Sequence, residues 1–311
     1  MKRASKKLFG SVKSHQSHPP ILGLFRFGSL MASDRITKEE TNHSSSFQMD
    51  TFPNCREMAR KSVWLLIGFA CVGSCFATEI REFSLPTLEK LGNELSHRDE
   101  IAARAADLVW AQHPDFKNVS PQGWVTELRS GGDDVYFIVE TKNGLVGAYK
   151  VSFQRSGSSE IQDIHGQPIP ADVATRYKAR QTATDAVKSQ LNTSYGARYN
   201  FEVVNDPQGD GFLVYALAAF TVKNPVYTGG HVRITVSSDG TKVKRIDQLS
   251  HGILEQKSDK QHTILAVATA QAVKTRYPVE TWIYTSHLYS LPMYVGTTDG
   301  AIWGVANGRI V

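Results

Sequence analysis

Histidine is the side chain best suited to general-base or metal chemistry near neutral pH, and this chain has ten. Seven lie beyond residue 77: His97, His113, His165, His231, His251, His262 and His287. No two of these stand at i, i+2 or i+4, the spacings with which a single strand or helix clamps a metal. His231 and His287 each fall within a predicted strand, and His251 ends another. Three rings from separate strands could converge beside a carboxylate as the general base of a hydrolase. The more ordinary role of a strand histidine is a half-buried ring satisfied by one neighbour. These three are the candidate catalytic residues. No metal or cofactor set is read beside them.

The compact signatures of known chemistries are missing from the sequence. There is no His-Glu-x-x-His, no Gly-x-Ser-x-Gly, no phosphate-cradling Gly-x-x-x-x-Gly-Lys-Ser/Thr and no Gly-x-Gly-x-x-Gly. Asp206-Pro-Gln208-Gly-Asp210-Gly211 begins like a calcium loop. Its twelfth position is Leu217, where a bidentate Glu is needed, so it reads as a polar hairpin turn.

Met58 to Ala77 decides which part of the chain must fold. Arg60 and Lys61 precede an apolar run from Val63 to Ala70, and small residues lead to Ala77. Basic start, short apolar run and small-residue end are the layout of a secretory signal, shorter than the roughly 20 residues that span a bilayer. The upstream residues 1–57 lack periodicity and read as a disordered extension, with Met58 as the natural start. Val72-Gly73-Ser74-Cys75 partly resembles a lipobox, which would place a lipid on Cys75.

Cleavage after Ala77 changes the composition. Of the 35 bases and 30 acids, eleven and five fall in residues 1–77, leaving 24 and 25. The net charge thus drops from +5 to −1, and the basic argument for a nucleic-acid partner falls with it. Cys55, Cys71 and Cys75 all precede Thr78, so the remainder has no thiol and must rely on its core.

That remainder reads as helices alternating with antiparallel strands. Ser96-x-x-Asp99 has the spacing of a capping box before a helical run that closes at His113-Pro114. Strands are expected over 124–128, 135–141 and 145–153, with a tight turn at Asn143-Gly144. Ser156 to Pro170 reads as a linker. A second helix runs from Pro170 to Leu191, followed by a strand over 199–204 and a long, central apolar strand from Phe212 to Val222. Strands over 231–236 and 242–249 complete this part, and Ser250 to Gln261 is a second linker. Ile264 to Arg276 is Ala-rich and reads as helix. Thr281 to Tyr289 and Met293 to Thr298 read as strands, with a hairpin at Asp299-Gly300.

The expected fold is α+β: a first unit over 78–155, a second over 170–250 and a shorter third over 259–311. Val139-Glu-Thr-Lys-Asn-Gly-Leu-Val146 stands beside Val295-Gly-Thr-Thr-Asp-Gly-Ala-Ile302 as a possible internal repeat. One helix against a curled antiparallel sheet resembles the cystatin-like arrangement of the PepSY group of exported bacterial domains. The segments from Gly229-Gly230-His231 and from Leu291-Pro-Met are similar in style. That resemblance implies a non-catalytic role, such as peptidase inhibition or envelope ligand binding. The resulting expectation is a non-enzymatic exported module, periplasmic or extracellular, that binds a peptide or envelope protein. It meets a membrane only through its signal or a lipid on Cys75. A hydrolase with a dispersed His/carboxylate site, or a structural envelope lipoprotein, is the alternative.

Overall fold

Two long helices organise the chain because each serves two cores. The computed structural model describes residues 79–116, 121–190, 198–219, 225–250, 252–257 and 264–311. The expected signal at 58–77 and the extension 1–57 lie outside these. Helix α1 spans Leu85–Gln112 and begins well before the expected capping box. Pro86 sits in its first turn, where a missing N–H costs nothing. Ser96 is thus mid-helix and Asp99 is a buried residue rather than a cap. At about 1.5 Å per residue, 28 residues reach roughly 42 Å.

Strands β1 (Gly123–Arg129), β2 (Gly132–Thr141), β3 (Gly144–Gln154) and β4 (Ser159–Asp163) form one antiparallel sheet in that order. The expected linker at 156–170 therefore contains a strand. Strand alternation sends Val135 and Phe137 to one face, against Ile101, Ala105 and Val109 of α1. Tyr136 and Ile138 go to the other, against Val173 and Tyr177 of α2 (Ala171–Gln190).

A second antiparallel sheet has the order β5 (Arg198–Asn205), β6 (Phe212–Ala219), β8 (Val232–Val236), β9 (Val243–Gln248). Strand β6 is internal, as its unbroken apolar run predicts. Val214 and Ala216 meet Ala179, Ala183 and Val187 of α2. Leu213, Tyr215 and Leu217 face the largest core, with Leu88, Leu91 and Leu95 of α1. Strand β7 (Val226–Gly229) pairs with β10 (Ile253–Gln256), so the second expected linker also holds a strand.

The C-terminal part reverses two expectations. Ile264 to Arg276 is not a helix: it contains strand β11 (Val267–Ala270). Thr281 to Tyr289 is not a strand but helix α3 (Thr281–Tyr289). All six residues from Thr281 to Ser286 are buried, so the helix shows no polar face and its aromatic and β-branched run imitates a strand. Strand β11 lies parallel to β12 (Met293–Gly296), which continues antiparallel into β13 (Ile302–Ala306) and β14 (Arg309–Ile310). This part is strand–helix–strand, unlike the helix-first order of the other two, and the helices start at 85, 171 and 281.

The turns differ in detail. Thr141 pairs with Gly144, which puts Lys142 and Asn143 at the tip rather than Asn143-Gly144. The Asp299-Gly300 turn has three residues at its tip: Gly300 donates to the Thr297 carbonyl at 3.0 Å and sits at φ 86°. The two-residue Asn-Gly turn is at Asn307 (φ 51°) and Gly308 (φ 74°), both left-handed as such a turn requires.

One buried guanidinium ties the second sheet to the segment before α1 and to α3. Arg233 of β8 donates from Nη2 to Asp247 at 2.8 Å and from Nη1 to Glu280 at 2.8 Å. All three side chains are at most 1% exposed. The Tyr215 hydroxyl donates to the same Glu280 oxygen at 2.6 Å. Arg233 also donates to the Arg81 carbonyl, and the guanidiniums of Arg81 and Arg233 both stack on the Phe83 ring. Removing one member of a buried ionic set leaves the others charged and unpaired. Arg233→Met should therefore cost roughly 3–5 kcal/mol in urea unfolding, and Arg233→Met with Glu280→Gln should recover part of that loss.

Candidate functional site

Two of the three candidate histidines, His231 and His287, are separated by the fold. His231 enters β8 after Gly229-Gly230, and its ring is buried. Its Nδ1 accepts the Ala218 N–H at 3.1 Å, which fixes the proton on Nε2. That nitrogen faces the Thr285 hydroxyl at 3.4 Å, and Thr285 in turn donates to the Thr281 carbonyl. Burial pushes the pKa of His231 down to about 4, so the ring is neutral at pH 7. His287 lies two residues after Thr285 on α3, about 200° around the helix. It is exposed, and its Nε2 donates to Asn93 of α1 at 2.9 Å. The two rings therefore address different sides of α3. His251 lies outside the described residues. Among those described, no three His, Cys, Asp or Glu side chains are grouped to hold a metal.

The calcium-like loop is the β5–β6 turn. Arg81 grips Asp206 with two hydrogen bonds of 2.6 and 2.7 Å, and the Gln208 N–H binds it at 2.9 Å. These partners hold the Asp206 carboxyl below its usual range, although burial opposes them. Its oxygens are committed within the chain.

An acid pair that no local sequence signal marks lies at the junction of the two larger sheets. Asp99 of α1 accepts from Asn200 on β5 and from the Tyr284 hydroxyl of α3, both at 3.1 Å. Glu202 of β5 accepts from the Trp124 indole of β1 at 2.9 Å. Burial, then the nearby Asp99 charge, pushes Glu202 up to about 7, while burial also raises Asp99. Arg180 of α2 lies over the rings of Trp124 and Phe201. It passes so close to Gly123 that any side chain there would collide with it. Arg98 turns to Glu94 and to the Thr126 carbonyl. Five elements thus meet around two carboxyl groups, one of which carries its proton up to neutrality.

An open cleft of about 510 Å³ lies where the first turns of α2 meet the β5–β6 turn. Asp172, Thr175, Arg176, Asn205, Asp210 and Phe212 line it. Arg176 spans its base: Nη2 donates to Asn205 at 2.9 Å, and Nε lies 2.7 Å from Glu127 without pointing squarely at it. The guanidinium also covers the Phe212 ring. Asp172 and the exposed Asp210 bring negative charge, with Lys244 reaching Asp210 at 3.2 Å. The cleft therefore offers both signs of charge and an aromatic wall.

Comparisons with family models, with curated proteins and with solved structures return no match.

Two buried groups give opposed pH dependences. Glu202 keeps its proton to about pH 7 when folded but loses it near 4.5 when unfolded. Its stabilising contribution is complete below about 4.5 and disappears as pH rises to about 7. His231 is depressed to about 4 from 6.5, so its contribution is complete above about 6.5 and disappears as pH falls towards 4. Glu202→Gln should remove only the first. The unfolding free energy of the variant relative to wild type should rise by about 3 kcal/mol between pH 4.5 and 7. A constant difference across that range would show that Glu202 titrates normally.

Proposed function

We propose that this chain is an exported, non-catalytic α+β module of the cystatin-like PepSY style that binds a segment of a peptide or envelope protein. The observation that carries this reading is the cleft between α2 and the β5–β6 turn. A volume of about 510 Å³ suits a few residues of extended chain, within the usual range for ligand clefts. Its two carboxylates and one anchored guanidinium match the mixed polarity of a peptide backbone with charged side chains. Arg176 is already positioned by Asn205 and Glu127, so little side-chain freedom is lost on binding.

Export is supported by the basic start, apolar run and small-residue end of 58–77. N-terminal sequencing of the exported protein should begin at Thr78, or be blocked by a lipid on Cys75. A protein that begins at Met1 in its final compartment would overturn the export half of the proposal.

Binding is tested with an immobilised library of random hexapeptides. Retained peptides should be enriched in Lys or Arg, which pair with Asp172 and Asp210. Asp172→Asn with Asp210→Asn should weaken retention at least tenfold while leaving the thermal midpoint within a few degrees. No enrichment, or enrichment indifferent to both substitutions, would show that the cleft is not a peptide site.

A further inference from the structure

The chain has two Asn-Gly pairs, Asn143-Gly144 and Asn307-Gly308, and three Asp-Gly pairs, at 210–211, 239–240 and 299–300. A side-chain amide or carboxyl before a glycine is open to attack by the glycine's own nitrogen, because no Cβ blocks the approach and the backbone turns easily. All five pairs stand at hairpin turns, so the sequence does not rank them. Their surroundings do.

Four of the five are held. Asp239 accepts the Ser237 and Thr241 hydroxyls at 2.5 and 2.7 Å, and Asp299 accepts the Thr297 hydroxyl at 2.6 Å. These hydroxyls, helped by the Thr241 and Ala301 N–H groups, keep both carboxyls below their usual range. An ionised carboxylate repels an attacking nitrogen and has no good leaving group. Asp210 pairs with Lys244 at 3.2 Å, and the carbonyl of the buried Gly211 accepts the Asp206 N–H at 3.0 Å. Asn307-Gly308 is clamped from its glycine. Gly308 is buried, its carbonyl accepts from Asn93 at 2.8 Å, and the same side chain leaves no room for a Cβ. Asn93 is fixed in turn by the Glu89 carbonyl at 2.7 Å and by His287 at 2.9 Å. The Gly308 nitrogen cannot swing towards Asn307 without breaking this set.

Asn143-Gly144 has no such clamp. Both residues are exposed, Gly144 lies at φ 114°, and a Cβ there would meet nothing within 4 Å. The Thr141 hydroxyl touches only the backbone of the turn, accepting the Asn143 N–H at 3.2 Å and donating to the Gly144 carbonyl at 2.9 Å. The Asn143 side-chain amide has no hydrogen-bond partner among the described residues.

We propose that Asn143 is a site of spontaneous modification, converting to isoaspartate in the folded protein while the fold protects Asn307. The Gly144 nitrogen bonds to Cγ of Asn143, the Cγ–Nδ2 bond breaks, and ammonia leaves with the proton from Gly144. Water then opens the cyclic imide. Opening at Cγ gives aspartate, and opening at the main-chain carbonyl gives isoaspartate, whose backbone runs through Cβ and Cγ. No other reactant takes part. Isoaspartate adds a carboxylate and lengthens the main chain by one methylene, so Thr141 and Gly144 lose the pairing that closes the β2–β3 hairpin. This chemistry depends on neither peptide binding in the cleft nor export.

The test incubates the full chain in mildly alkaline buffer, folded and in guanidinium chloride, and follows both Asn-Gly peptides by mass spectrometry. Isoaspartate is counted separately, by methyl transfer from S-adenosylmethionine with a protein-isoaspartate methyltransferase. In the folded chain, position 143 should convert at least tenfold faster than position 307. In guanidinium chloride the two should convert at similar rates, which shows that the difference belongs to the fold. Asn143→Gln should abolish methyl uptake by the folded chain. Equal conversion at both sites when folded, faster conversion at 307, or a tenfold difference that persists in guanidinium chloride would overturn the proposal. So would an Asn143 that stays intact in the folded chain while the unfolded chain converts.

Discussion

A guanidinium cut off from water must be neutralised where it stands, and Arg233 sets the terms for much of this molecule. Its partners come from β9, from the residue before α3 and from the strand-like segment before α1. Their geometry is therefore fixed jointly. Arg245 supplies a second positive charge to Asp247, so two carboxylates face two guanidiniums. Such a set contributes little net energy compared with apolar packing. Its value is in specificity, because any misplacement of these elements strands a buried charge.

The sharing of helices extends that constraint. Helix α1 packs its first half with α3 and its second half on the N-terminal sheet, while α2 lies between the two larger sheets. The polar residues Arg98 and Asp99 fall at the changeover along α1, where neither core is fully apolar. The acid pair, the stacked Arg180 and the Trp124–Glu202 bond occupy the junction that this sharing creates. Polar groups in such a place must find partners within the protein. Most of them do.

The strands were legible where alternation or an unbroken apolar run marked them: β1 to β3, the internal β6 and the half-exposed β9. Helix α2 was legible from Pro170 and its following stripe. Helix α1 was truncated because Ser96 and Asp99 imitate a cap, although Leu88, Leu91 and Leu95 continue the helical stripe upstream. The exchange of helix and strand near 264–289 has a different cause. Alanine favours helix, yet Val267 to Ala270 is held extended by its ladder to β12. Trp282-Ile283-Tyr284 favours strand, yet burial on all sides makes periodicity invisible. As for the site, single residues were visible but their neighbours were not. Asp99, Asn200, Glu202 and Tyr284 are far apart in sequence, and nothing local announces that they meet.

Helix α1 has a consequence for the order in which the protein can be assembled. A ribosome or a translocation channel releases α1 before the sheets and α3 that pack on it. Leu91 and Leu95 share their core with Ile283 and Met293, which emerge nearly two hundred residues later. Gly92 must also let the backbone of Glu280 and the side chain of Ile283 come within contact of it. The first helix of the described residues is thus among the last elements to be completed. An emerging chain carries one exposed leucine stripe through most of its synthesis, a period in which a chaperone has the longest opportunity to hold it.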